Sequence, residues 1–220
     1  MVSFALVTEG ITDQVCLEAV LGGWYKGSEE EVEVNSLQPL RDTTDEARQS
    51  QESPGGWERV FEYCSSLEYL KSALEFNDYL IIQIDTDCCD HVNFGVSRAI
   101  DGREKSVGEL IDDVVSVIKS KMPPQIIKAG EECIFFAVAV DSLECWILPL
   151  YAYSKADSKR TISCEKHLNQ ALKRKDIRYE KTYEIYREIT ADLRNIKTIK
   201  KCQVLNQSFD IFLKSLPDIS

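Results

Sequence analysis

The chain has 220 residues, 44% hydrophobic and 29% charged, a balance that suits a globular domain with a sizeable buried core. Its longest apolar runs, such as residues 134–140, are too short to cross a bilayer, and the opening MVSFALVTEG lacks a basic leader and reads as a first strand, not a signal peptide. The net charge of −11 is unevenly spread: residues 1–150 carry 11 Lys and Arg against 28 Asp and Glu, net −17, whereas residues 151–220 carry 15 against 9, net +6. An acidic functional edge and a basic surface suited to phosphate would produce such a split.

Residues 4–7 are an apolar run ending at Thr8-Glu9-Gly10, as in a buried parallel strand. Thr12 is a candidate cap for a helix carrying Val15, Cys16, Ala19 and Val20, which Gly22-Gly23 would end. Residues 31–35 alternate Glu-Val-Glu-Val, a half-buried strand near an edge. Residues 37–56 are polar and interrupted by prolines and glycines, a long loop of the kind that is often functional. Trp57, Val60, Phe61, Cys64, Leu67, Leu70 and Leu74 predict one long amphipathic helix. Residues 79–84 are a second apolar run, ending in Asp85-Thr86-Asp87. Val107, Leu110, Ile111, Val114, Val115 and Ile118 predict a helix stopped by Pro123-Pro124. Residues 133–140 form a third apolar run ending at Asp141, after which Ser142 is placed to cap a short helix with Glu144 and Trp146. The order β-α-β-α-β-α-β predicts a mostly parallel four-stranded sheet with helices on both faces. Residues 163–175, 180–196 and 206–216 read as helices of a C-terminal extension, 151–220, attached to an α/β domain, 1–150.

Eight cysteines without a CxxC or an export signal point to reduced thiols in the cytoplasm. His91 and His167 fall in no finger or ribbon spacing, so no structural zinc is expected.

Three apolar strands thus end in acid: Glu9, then Asp85 with Asp87, then Asp141 with Glu144 just beyond. Parallel strands gather their carboxyl ends along one edge, where open α/β sheets place their sites. Carboxylates held close repel each other unless a cation lies between them, and magnesium favours such hard oxygen ligands. For a lone Asp, a solvated strand end is the better explanation; for several acids at the same ends of three strands it is the weaker one.

These segments resemble a known family. Val7-Thr8-Glu9-Gly10-Ile11-Thr12-Asp13 resembles the first motif of the Toprim fold, and Leu80-Ile81-Ile82-Gln83-Ile84-Asp85-Thr86-Asp87 resembles its second. Asp141-Ser142-Leu143-Glu144-Cys145-Trp146-Ile147-Leu148 is similar to the third acidic segment of short stand-alone Toprim proteins of the OLD-nuclease kind. Cys202-Gln203 and Asn206-Gln207-Ser208-Phe209 look like the tail of those proteins. The resemblance implies a Toprim-like Rossmannoid sheet and a nuclease dependent on one or two Mg2+ or Mn2+ ions. It also implies an ATPase partner in antiviral, abortive-infection defence. Toprim nucleases of this class add a lysine near the site, and no single lysine here declares itself; Lys128 and Lys155 are nearest in sequence to an acidic strand end.

On this reading Glu9, Asp85, Asp87 and Glu144 are catalytic, and Glu9, Asp85, Asp87, Asp90, Asp141 and Glu144 hold metal, Asp90 as an extra ligand just past Asp-x-Asp. Lys155, Lys159, Arg160, Lys173, Arg174 and Lys175 would contact nucleic acid, because phosphate contacts need Lys and Arg. Tyr179, Tyr183 and Tyr186 lie at helical spacing among basic residues, more as a core stripe than as a stacking face for bases. Cys88, Cys89 and His91 read as local loop packing, with no base and orienting group in view, Asp90 being the exception among its neighbours. A haloacid-dehalogenase phosphatase also opens on strand-Asp-x-Asp, but Cys89 stands where its Thr or Val would be. A Toprim-like scaffold kept as a non-catalytic binding module is the remaining alternative. Partners are then a nucleic acid substrate, an ATPase subunit or a second copy of the chain, and no membrane.

Overall fold

The computed structural model describes residues 1–40 and 56–219. The chain opens with β1 (Val2–Val7), α1 (Ile11–Trp24) and β2 (Val32–Gln38). It continues with α2 (Gly56–Ser65), α3 (Leu67–Phe76) and β3 (Tyr79–Asp85). A two-residue antiparallel ladder of β4 (Ala99–Ile100) and β5 (Arg103–Glu104) follows. Next come α4 (Val107–Lys121), α5 (Pro124–Gly130), β6 (Ile134–Ala139) and α6 (Glu144–Tyr151). The last four helices are α7 (Cys164–Lys173), α8 (Tyr183–Ile189), α9 (Ile196–Gln203) and α10 (Gln207–Ser215).

The main sheet has the order β2-β1-β3-β6 and is parallel throughout. Strands β1, β3 and β6 are mainly apolar on both faces because both faces are covered, whereas the edge strand β2 is half polar and only partly buried. Phe4, Leu6 and Ile81 pack with α1, α6 and the C-terminal helices, while Ala5, Val7, Leu80, Ile82 and Ile84 pack with α2, α3 and α4. The strand period of two sorts one sequence into two cores. The expected α/β architecture is the observed one, and Leu168, Tyr186 and Phe209 of the C-terminal helices share a core with β1 and α1. No helix of the described residues is long and apolar enough to cross a membrane.

Several elements differ from expectation. The first helix is not stopped by Gly22-Gly23 but runs to Trp24, and Thr12 does not cap it; Gly10 is the N-cap, without a side-chain bond. Gly23 instead permits close packing, since a Cβ there would stand 2.0 Å from the carbonyl oxygen of Leu193. The single helix expected from Trp57 to Leu74 is two, because the Ser66 hydroxyl accepts a hydrogen bond from the Tyr69 N–H and starts α3 anew. Pro124 opens α5, a position where its missing N–H costs nothing. Two residues of the expected loop over 37–56 belong to β2, Gly56 opens α2, and 41–55 lie outside the described residues. The helix expected over 180–196 is α8 followed by a 3-10 turn, Ala191–Arg194, and α9 is a further element. The cysteines are not all reduced: Cys145 and Cys164 form a disulfide, their Cα atoms 5.0 Å apart. Nineteen residues of separation hide a pair that meets only because α6 packs on α7.

Candidate active site

The sheet order reverses between β1 and β3: the chain leaves β1 towards β2 on one side and reaches β6 on the other. Ligand sites of open α/β sheets form at such a switch point. Glu9 and Asp85 meet there. The Asp85 N–H donates to Glu9 Oε1 at 2.7 Å, the Glu9 N–H donates to Gln83 Oε1 at 3.1 Å, and Gln83 Nε2 donates to Asp85 Oδ1 at 2.8 Å. A fully buried Gln83 side chain thereby ties the two strand ends together. The Leu143 N–H also donates to Asp85 Oδ1, at 3.1 Å, and the Asp141 N–H donates to Thr86 Oγ1 at 2.8 Å, which brings in the end of β6.

Asp13, in the first turn of α1, is buried beside this group. Burial first, and then Glu144, push its carboxyl up to about 7, against the pull of Lys181. Burial likewise raises Glu9 to about 8, with Asp13 and Asp87 adding repulsion, while the Asp85 N–H and Lys181 oppose the shift. Asp85 is held well above the usual carboxylate range by burial and by Asp13, Glu9, Glu144 and Asp87. Glu144 behaves oppositely: burial raises it, but Lys181 and the Tyr186 hydroxyl more than offset that and hold it low. Its Oε1 takes three donors, Tyr179 OH at 3.2 Å, Lys181 Nζ at 3.3 Å and Tyr186 OH. Lys181 also pairs with Glu165 at 3.0 Å. Desolvation works to lower the Lys181 ammonium, and Glu144, Tyr179 and Glu165 overcome it and keep the group charged. Beside these groups lies an open cavity of about 490 Å3, lined by Asp87, Asp141, Ser142, Ser163, Glu165, Lys166, Asn169 and Lys181.

The structure thus brings Glu9, Asp85, Asp87 and Glu144 to one edge, as expected, and adds Asp13 and Lys181. The Asp90 carboxylate is engaged with Arg98: its Oδ1 accepts the Arg98 N–H at 2.9 Å and its Oδ2 pairs with the Arg98 guanidinium at 3.4 Å. The Asp141 carboxylate faces α7, where its Oδ2 accepts the Cys164 N–H at 3.2 Å. Neither Lys128 nor Lys155 supplies the ion pair to Glu144; Lys181 does. Tyr186 is wholly buried and Tyr179 partly so, both as Glu144 donors. Cys89 is buried in loop packing. Of the expected phosphate contacts, Lys155, Lys159 and Lys173 are exposed. Arg160 pairs with Asp157 at 2.9 Å, the Arg174 guanidinium lies 5.6 Å from the centre of the exposed Tyr153 ring, and Lys175 lies over Tyr151.

Asp13 was legible, four residues after Glu9 at the start of a helix, although only Glu9 of that motif drew a role. Lys181 had no local signal, since it lies in the connector before α8 and 37 residues after Glu144. Gly56 is a further unexpected neighbour: a Cβ there would come within 2.9 Å of Glu9 Cβ. In comparisons with known proteins, no family model, no curated protein and no solved structure matches the chain.

Proposed function

We propose that the chain is a divalent-metal-dependent nuclease that hydrolyses phosphodiester bonds of DNA or RNA. The observation that carries this is the gathering of Glu9, Asp13, Asp85, Asp87 and Glu144 with Lys181 at the switch point, where burial and mutual repulsion push three carboxyls up. Uncompensated acids of this kind destabilise a fold unless a cation is to be shared among them. The donor set is all hard oxygen, which fits Mg2+ or Mn2+. Glu9, Asp85 and Asp87 would hold the ion, with Asp13 and Glu144 behind them. Such an ion supplies Lewis-acid polarisation of a phosphoryl oxygen.

The chain's own residues supply the rest. Glu9 stands at the same strand end as Asp85, its Oε1 2.7 Å from the Asp85 nitrogen, and once a cation offsets the burial that keeps it protonated it would be the carboxylate placed to hold the ion or to take a proton from water. Lys181, charged and half-exposed at the cavity wall, is placed to neutralise phosphate oxygens. Tyr179 and Tyr186 keep Glu144 ionised so that Lys181 stays anchored. The basic residues from Lys155 to Lys175 would carry the strand, whose phosphates the acidic edge alone would repel. An ATPase partner in antiviral defence rests on the family resemblance alone, and co-purification with neighbouring gene products tests it.

Purified protein should cleave DNA or RNA with Mn2+, and both Glu9→Gln and Asp85→Asn should remove that cleavage. Reversal of Lys173, Arg174 and Lys175 to Glu should weaken binding and flatten its salt dependence. Cleavage that persists unchanged in chelator rejects the metal role. A folded protein that binds nucleic acid but cleaves with neither metal is a binding module instead.

A further inference from the structure

Among the described residues, the trio of metal-ligating side chains whose donor atoms all fall within 4.8 Å of one another is not drawn from the acids at the switch point. It is Asp141, Cys145 and Cys164, at the junction of α6 and α7. We propose that, once the Cys145–Cys164 disulfide is reduced, this trio binds a borderline-soft divalent cation, Zn2+ in particular, at a site separate from Glu9, Asp85 and Asp87.

The arrangement is built, not incidental. Asp141 sits in the left-handed region, with φ 68, a conformation that Asp tolerates better than most residues and that fixes where its carboxylate leaves the chain. Thr86 holds it: the Asp141 N–H donates to Thr86 Oγ1 at 2.8 Å, and the Thr86 N–H donates to the Asp141 carbonyl at 3.2 Å. That turn places Asp141 Oδ2 3.2 Å from the Cys164 N–H and 3.9 Å from Cys145 Sγ. Both cysteines lie in the first turn of a helix, Cys145 second in α6 and Cys164 first in α7. The positive end of a helix favours the thiolate, the form that ligates metal. Two thiolates select zinc over magnesium, and one carboxylate completes three protein ligands, leaving a fourth position for water. Asp141, together with Ser142 and Ser163, lines the open cavity, so an ion would meet the carboxylate first, with the buried Cys145 and Cys164 sulfurs behind it.

Reduction by a dithiol moves two electrons and two protons onto the pair: the S–S bond breaks, two thiols form, and the dithiol closes to its own cyclic disulfide. Zinc then replaces the two thiol protons, which leave to solvent. Oxidised protein has no free thiol at this junction and should not take the ion there.

Co2+ is the probe, because cobalt–thiolate bonds give a near-ultraviolet charge-transfer band that cobalt–carboxylate bonds do not. Reduced, oxygen-free protein should develop that band with one equivalent of Co2+, and Zn2+ should displace it. Oxidised protein should not show it. Cys164→Ser should lose most of its intensity, and Asp141→Asn, whose fold can be verified in the oxidised state, should weaken Co2+ binding about tenfold or more after reduction. Cys88→Ser, at an exposed cysteine outside the junction, should keep the band. Three results would overturn the proposal: no band in reduced wild-type protein, whether or not its circular dichroism is native; a band of equal strength in the Cys145→Ser, Cys164→Ser double variant; or a band lost in Cys88→Ser alone. Because the readout is thiolate-specific, it stands or falls apart from nuclease activity at the acids.

Discussion

Asp13→Asn should stabilise the metal-free protein in mildly alkaline solution and leave it almost unchanged in acid. Burial and the neighbouring Glu144 push the Asp13 carboxyl from 3.8 up to about 7. The folded state therefore binds this proton more tightly than the unfolded state does. The resulting stability is fully present below the unfolded value of 3.8 and is lost as pH rises through about 7. A shift of roughly three units, at about 1.4 kcal/mol per unit, sets a ceiling near 4 kcal/mol. Glu9 and Asp85 can take up a proton in its place, so about half of that, ~2 kcal/mol, is the expected gain. In a domain of this size that raises Tm by about 4–8 °C. Thermal unfolding followed by circular dichroism in chelator, at about pH 8 and again at about pH 4, measures it. Added Mg2+ should shrink the difference, since a bound cation relieves the same repulsion. A variant that melts lower than wild type at the higher pH, or that gains equally at both, refutes the electrostatic account.

Two further substitutions probe the surroundings of the site. Gly23→Ala forces a Cβ against the Leu193 carbonyl at 2.0 Å and Ile199 Cδ1 at 2.8 Å, so it should cost about 3 kcal/mol or more in urea unfolding; a cost near zero would mean that α1 and the Ala191–Arg194 turn separate easily. Tyr186→Phe removes a buried donor to the Glu144 carboxylate and should cost about 1.5–3 kcal/mol, while the acid limb of the cleavage pH profile moves up as Glu144 loses a group that holds it low; an unmoved limb would remove Glu144 from the reaction.

What could be read in the sequence and what could not divides along a physical line. Glu9, Asp85 and Asp141 were visible because each ends an apolar run, and parallel strands of a shared sheet must end together. The two-layer core was implicit in the continuous apolar runs of β1, β3 and β6, which leave neither face polar. The break between α2 and α3 was not visible, since the apolar spacing from Trp57 to Leu74 continues across Ser66; only the hydroxyl bond to Tyr69 marks it. Gly22-Gly23 looks like a helix stop in isolation and is a contact surface in the fold. Lys181 and the Cys145–Cys164 pair depend on how α7 and α8 pack against elements far away in sequence, and no local pattern reports such packing. The partner that Asp90 takes is hidden for the same reason: Arg98 reaches it from eight residues downstream.

Ser208, on α10, accepts a hydrogen bond from Trp146 Nε1 at 2.8 Å and from the Val140 N–H at 3.4 Å. Asn206 at the start of that helix donates through Nδ2 to the Cys145 carbonyl at 3.2 Å. Trp146 itself lies between strand and helix with its ring on Phe209 and Phe212. During synthesis every acid from Glu9 to Glu144 is added to the chain before Lys181, Tyr186 and Ser208 exist. The growing chain holds its repelling carboxylates without the lysine that balances them or the helix that seats the Glu144 turn. The acidic edge is therefore assembled last although its residues are made first, and a chain cut short after α7 carries the acids without the geometry.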